Sequence, residues 1–442
     1  MAPPLSPSGP SLLHTRLPFF YGWVVVAVAF VTMAIGVNTR TAFSLLFPPI
    51  LTEFGWDRGS TAAAFSFGFV AATLYSPMIG FLMDRLGPRL ILPAGAGMVS
   101  IGLILTTSIT QPWHLYLAFG LFVGGGSMFI SYLGHSLFVP YWFARKRGLA
   151  LGITFAGAGV GSIILFPWLQ DTISRVGWRD ACWIMALVLF VTVVPLNSIL
   201  QRRRPEDLGL APDGEAGADA SQAAPGRADT IVDHAWAATD WTLALAVRTA
   251  RFWWLALAMS TCLYAWYAVQ VHQTKYLDDI GFSPQLAAYA LGLVGLTGSA
   301  GQIGLGFLSD RIGREWVWTL SLSGFGLCYA LLLVMHDQPS HVLLYSMVVA
   351  QGLLGYGVSA VYGAVAVEIF QSRHYGTIYG TLSVAGSLGA AVGPWLTGLV
   401  YDQTGTYAPA FWLAIGLCGV SIVSMWVAAP RKVRLVAGRV GR

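Results

Sequence analysis

Four ionisable side chains interrupt stretches that are otherwise apolar. Arg40 lies in GVNTRTAF, flanked by Asn38, Thr39 and Thr41; His135 lies in SYLGHSLF; His272 lies in VQVHQTKY, just ahead of Lys275 and Tyr276; Glu368 lies in VAVEIF. Their chemistry differs. A guanidinium offers a planar fork of donors that fits both oxygens of a carboxylate. An imidazole titrates near pH ~6.5 and can donate, accept or carry a proton. No Asp or Glu falls in the central part of any apolar run, so nothing of opposite sign neutralises Arg40 or a protonated histidine. Such a set favours an anion. Other readings stand beside this one: Arg40 could snorkel to lipid headgroups, and either histidine could be satisfied by packing. Neutral polar groups form a second set. Tyr264, Trp266, Tyr267, Tyr356 and Tyr362 could offer hydroxyl or indole donors, and Gln270 and Gln302 amides. Ordinary packing remains open for each of them.

Other chemistry has less support. No nucleophile–base pair or metal-ligand spacing is evident, so neither an enzyme nor a cofactor is implied. Cys182, Cys262, Cys328 and Cys418 stand singly in or near apolar runs, as small packing residues do. GAGVGS at 157–162 resembles a phosphate loop in its glycines but lacks the lysine. The basic residues are too scattered for nucleic acid.

The elements that must position these groups follow from composition. The 442-residue chain is 56% hydrophobic and 10% charged, with a mean hydropathy of +0.65. Soluble domains carry about 25% charged residues, so the expected solvent is a lipid bilayer. Apolar runs long enough to span it fall near 21–47, 59–83, 90–109, 113–141, 148–170 and 178–200. A second set falls near 252–275, 284–308, 316–335, 341–369, 376–401 and 408–429. The expected fold is all-α with twelve transmembrane helices in two six-helix bundles, residues 1–200 and 251–442. They are joined by a polar, flexible linker at 201–250, with a short amphipathic helix at WTLALAVRTARF. With both termini in the cytoplasm, inner segments hold twenty Lys and Arg and outer loops only Arg58, Arg175, Arg179 and Lys275. The positive-inside rule selects that orientation. The expected location is a bacterial-type inner membrane.

The bundles are repeats. GFLMDRLGPRL at 80–90 returns as GFLSDRIGREW at 306–316, and GLALGITFAGAGVGSIILFP at 148–167 is echoed by GTIYGTLSVAGSLGAAVGP at 376–394. Small residues recurring along a helix allow close approach where lipid gives no hydrophobic drive. Parallel repeats imply alternating access around a site between the halves.

The first pair resembles the signature of the major facilitator superfamily, G-x-L-x-D-[RK]-x-G-[RK]-[RK], between helices 2 and 3 and again between 8 and 9. Gly80, Asp84, Arg85, Gly87 and Arg89 match the first copy, with Pro88 in place of a basic residue. Gly306, Asp310, Arg311, Gly313 and Arg314 match the second, with Glu315 departing. YGWVVV, FPPILTEFGWDRG, YWFARKRGLALGI, VHQTKYLDDIGFS and RHYGTIYG resemble the monocarboxylate transporter and oxalate/formate antiporter branch. That resemblance implies a carrier of small organic anions, by proton symport or by exchange. It also implies a cavity lined by helices 7, 8 and 10, which selects Tyr267, Gln302 and Tyr362 beside Arg40, His135, Gln270 and His272. Branch members commonly have an arginine where this chain has Gln302. Rival readings are an exporter of amphipathic compounds on the same fold and a transporter-like sensor. Asp310, Arg311 and Glu368 are expected to form a charge cluster that latches one state. The first half has Pro140 at the position of Glu368.

Overall fold

The computed structural model describes residues 18–143, 147–212, 231–372 and 374–436, without the side chains of 76, 77, 80, 84, 133, 147 and 148. Gly80 and the Asp84 side chain therefore fall outside what is described. Twelve long helical segments run through the described residues. They are α1 (Gly22–Phe54), α2 (Arg58–Leu86), α3 (Pro88–Thr106), α4 (Pro112–Tyr141), α5 (147–176) and α6 (178–200), then α7 (Ala250–Asp279), α8 (Pro284–Ile312), α9 (Arg314–Asp337), α10 (His341–Phe370), α11 (Tyr375–Thr404) and α12 (Ala408–Ala428). Gly177, at φ +85°, breaks the chain between α5 and α6.

Local sequence sets the helix ends. Ser283 and Thr249 accept the Leu286 and Phe252 amides at the starts of α8 and α7, which satisfies otherwise orphaned donors. The signature turns are glycine for a backbone reason. Gly87 and Gly313 have φ of +71° and +105°, a region closed to most L-residues.

Buried apolar side chains gather in two clusters. One is drawn almost wholly from 21–193 and the other from 241–428. The halves meet chiefly through α2 against α11 and α5 against α8. The α5–α8 contact is made at backbone distance. The Ser162 hydroxyl donates to the Gly292 carbonyl at 2.9 Å, and a Cβ on Gly159 would meet the Ser299 hydroxyl at 2.1 Å.

Two departures from the expected architecture bear on function. First, α4 is not one regular helix. It is π-helical over Tyr116–Gly124 and interrupted at Ile130, with φ −102° and ψ 18°. α10 has a matching π-helical stretch, Val349–Leu354, which tightens to a 3₁₀ turn at Gly355–Gly357. Such irregularities re-aim every side chain beyond them. Second, residues 231–250 of the segment expected to be a flexible linker pack against the second half. Turns His234–Ala238 and Leu243–Ala246 replace a single amphipathic helix. The Trp236 indole donates to the Ile369 carbonyl at 2.8 Å, and Ile231 bridges Arg434. Tryptophan burial against the end of α10 outweighs the polar composition that suggested a free chain.

Candidate functional site: a central cavity closed at one end

A cavity of about 760 Å³ lies between the halves. α1, α2, α4 and α5 line one side and α7, α8, α10 and α11 the other. It reaches Ser136, Gly152 and Tyr379 towards the end of the molecule that bears the signature turns.

α1 is held against α5 by Asn38, whose amide donates to the Ala34 carbonyl at 2.7 Å and the Ala158 carbonyl at 2.8 Å. That clamp fixes the turn carrying Arg40. The Arg40 guanidinium lines the cavity and is 9% exposed. It lies 3.9 Å from the Phe69 ring centre, 5.0 Å from Phe65 and 6.0 Å from Tyr267. Its Nη2 has no hydrogen-bond partner among the described residues. No carboxylate among the described residues lines the cavity. Ring faces attract a cation, more so when it is desolvated, so an aromatic box partly replaces the missing counter-charge. The snorkelling alternative does not hold, because the side chain turns inward.

Opposite, the Gln270 amide donates to the Tyr356 hydroxyl at 3.0 Å, while its Oε1 is buried and unpartnered. Tyr356 stacks on Trp266, with ring centres 4.1 Å apart. Tyr267, Gln302 and Tyr362 also line the cavity, and the buried Tyr362 hydroxyl has no partner among the described residues. Five of the expected residues therefore come together: Arg40, Tyr267, Gln270, Gln302 and Tyr362.

The two histidines do not join them. His135 is fully buried behind the cavity wall, its Nδ1 2.9 Å from the Ser131 carbonyl and its ring against Phe138. The break at Ile130 gives Ser131, Tyr132 and Ser136 the cavity face instead, which continuous helical periodicity could not foretell. Tyr132, which lines the cavity, went unnoticed in the sequence. Replacing His135 by glutamine is expected to leave the pH profile of uptake unchanged and KM within about twofold of wild type. A displaced profile would return His135 to the reaction.

His272 belongs to the closed end. Its Nε2 donates to the Pro394 carbonyl at 2.8 Å, which leaves Nδ1 to accept from the Tyr407 hydroxyl at 3.0 Å. Tyr407 in turn accepts from Arg58 Nη1 at 2.9 Å. Arg58 also pairs with Asp279 at 2.6 Å and lies 3.6 Å over the Tyr401 ring. Its backbone is engaged as well. The amides of Arg58 and Gly59 donate to the Asp402 carboxylate at 2.9 and 2.7 Å. The α2 N-terminus is thus capped by a residue of the other half, while its own Asp57 side chain makes no cap. A Cβ on Gly59 would sit 2.8 Å from the Leu399 amide, so glycine is what lets α2 and α11 touch. Nearby, Ser44 and Thr274 hydrogen-bond each other at 2.9 Å. Sequence reading counted Arg58 only as a loop charge, since partners 221 and 344 residues away leave no local signal.

At the signature end the expected cluster forms differently. Arg314, not Arg311, pairs with Asp310 at 2.7 Å and Glu368 at 2.9 Å. Arg311 lies 4.4 Å over Phe307, as Arg85 does over Phe81. The adjacent phenylalanine one turn back captures each of these arginines. Pro88 stands where the first half would need its Arg314, and Arg89 donates to the Ser198 carbonyl at 2.5 Å instead. Glu315 accepts the Arg431 amide at 2.8 Å, which gives its departure from a basic residue a structural role.

Comparison with known proteins agrees with this architecture. Residues 25–306 and 273–440 match the Major Facilitator Superfamily model. Monocarboxylate transporter 13 of Rattus norvegicus is 25% identical over 400 residues, covering 89% of this chain and 86% of the relative. Monocarboxylate transporter 12 of Homo sapiens is 27% identical over 419 residues, covering 91% and 78%. Among solved structures, the nucleoside transporter NupG superposes with a TM-score of 0.69 at 14% identity, covering 92% of this chain and 100% of that one. A bacterial homologue of the human lysosomal transporter Spinster, inward-facing and occupied, gives 0.66 at 15%, covering 93% and 97%. The chain is a multi-pass membrane transporter, not an enzyme; it belongs to the Major Facilitator Superfamily and within it resembles the monocarboxylate transporters.

Proposed function

We propose that the chain carries a small organic anion, a mono- or dicarboxylate, by alternating access, with bundles 1–200 and 251–442 rocking about the central cavity. One observation carries the reading: Arg40 is buried in the cavity wall with its Nη2 unpartnered and, among the described residues, no carboxylate lining the cavity beside it. A buried charge without a partner is unstable by several kcal/mol, and an incoming carboxylate relieves it. The names of the relatives point to the same class of cargo. The excess of Lys and Arg near the signature turns supports placing that end, and both termini, in the cytoplasm. The cavity then faces inward and the Arg58 lock closes the outside. The contacts named above for the described signature residues stay within one half, which leaves them free to latch the opposite state.

Coupling is by exchange or by a proton that travels on the anion. Neither of these histidines lines the cavity, which leaves no side-chain carboxylate or imidazole among the described lining residues to carry one. An exporter of amphipathic compounds draws support from the aromatic walls, but a charge at their centre favours an anion. The test is uptake of a carboxylate panel into proteoliposomes, with and without an imposed pH gradient. Saturable uptake of carboxylates is expected. Transport of neutral amphipaths alone would overturn the reading.

A further inference from the structure

The cavity wall holds two polar posts, Arg40 from the first helix of one half and Gln270 from the first helix of the other, and only one of them is charged. Ser44 of α1 and Thr274 of α7 hydrogen-bond each other where the halves meet at the closed end. They lie 230 residues apart, on the first helix of each half. Four residues back from Ser44 is Arg40, and four back from Thr274 is Gln270. Both line the cavity. Gln270 also lies one turn along α7 from Tyr267, whose ring faces the Arg40 guanidinium.

We propose that residue 270 sets how many charges the cargo bears. The cargo is an organic monoanion whose carboxylate sits on Arg40 and whose far end offers an uncharged hydrogen-bonding group, such as a hydroxyl, carbonyl or amide, to Gln270. This rests on the Arg40 reading and narrows it. An amide satisfies a neutral polar group, yet it supplies no charge to a second carboxylate. A dianion would bury its second charge against Gln270 and the Tyr356–Trp266 stack, and an unpaired buried charge is strongly disfavoured. The orphaned Gln270 Oε1, in a side chain 7% exposed, is a further reason to expect a polar group there.

The experiment compares uptake of mono- and dicarboxylates of matched chain length by wild type, Gln270→Arg, and the exchange variant Arg40→Gln/Gln270→Arg, in proteoliposomes with counterflow as a second readout. Wild type is expected to prefer the monoanion by about tenfold or more in kcat/KM. Gln270→Arg should shift that ratio towards the dianion by about tenfold or more, and the exchange variant should restore the monoanion preference. Gln270→Leu, which preserves the bulk and adds no charge, should lose discrimination between hydroxylated and plain monocarboxylates; that arm decides the matter if the arginine variants do not fold. An unchanged mono-to-di ratio in a monodisperse Gln270→Arg protein overturns the assignment. So does equal handling of both classes by wild type, or intact discrimination in Gln270→Leu. Failure of wild type to bind or carry any carboxylate overturns the Arg40 reading instead, and this proposal with it.

Discussion

Arg40→Ala is expected to lose transport and gain stability. Truncating one partner of a buried, hydrogen-bonded charge pair costs about 2–5 kcal/mol, or about 30-fold to several thousand-fold in apparent affinity. The same guanidinium is 9% exposed, with one nitrogen unpartnered and, among the described residues, the rings of Phe65, Phe69 and Tyr267 to offset its charge. Replacing such a group by an apolar one often stabilises a fold. Arg40→Leu, closer in volume, should therefore melt higher than wild type in detergent while carrying little anion. Arg40→Lys keeps the charge but loses the fork and much of the stacking, so it should fall between. The measurements are initial uptake rates in proteoliposomes and melting curves of the same preparations. Wild-type KM and rate in a folded Arg40→Ala protein would end the carboxylate reading. A fall in both stability and transport would mean that Arg40 holds the helices together instead.

The second large effect is expected at the closed end. Asp402 accepts two α2 amides across the boundary between the halves. A helix cap contributes about 1–2 kcal/mol, and here the contribution exists only while this end is shut. Asp402→Ala should therefore shift the conformational ratio towards opening at this end by about 5- to 30-fold. Arg58→Ala removes the contacts to Asp279 and Tyr407 but leaves the capped amides in place. It tests a separate part of the lock, although neighbouring groups need not add. Spin labels at Thr52 and Gln338, both exposed and one in each half, should report a longer distance population in either variant. A distance distribution identical to wild type in both would show that packing of α2 on α11, rather than these polar contacts, keeps the end closed.

These two sites mark the limits of what the sequence reveals. Arg40 was legible because a lone cation among apolar residues is conspicuous whatever the tertiary structure. The twelve helices and the repeat were legible from hydropathy and from two copies of one motif. His135 was not, because a π-helical stretch and the break at Ile130 rotate the later turns of α4, and residue spacing carries no mark of either. The exchange of Arg311 for Arg314 beside Glu368 was lost for a smaller reason. Both arginines fit the motif, and only rotamer and the nearby Phe307 ring separate them. Arg58 was least legible of all. Its partners come from the ends of α7 and α11, and its backbone role has no side-chain signature.

The two places where the halves touch are fastened unequally. Where α2 meets α11 there are a borrowed helix cap and an arginine over a tyrosine ring, and the same arginine pairs with Asp279 at the end of α7. Where α5 meets α8 there are glycines, serines and a single long-range amide contact, Gln285 to Ser174 at 3.2 Å. Mechanically, the first is a bolt and the second a pivot. Polar contacts of the first kind are made or broken whole, whereas small side chains in backbone contact can roll over one another with little change in energy. The closed mouth should therefore swing rather than part evenly, wide along α2 and α11 and narrow along α5 and α8. An anion would then approach Arg40 from the bolted side.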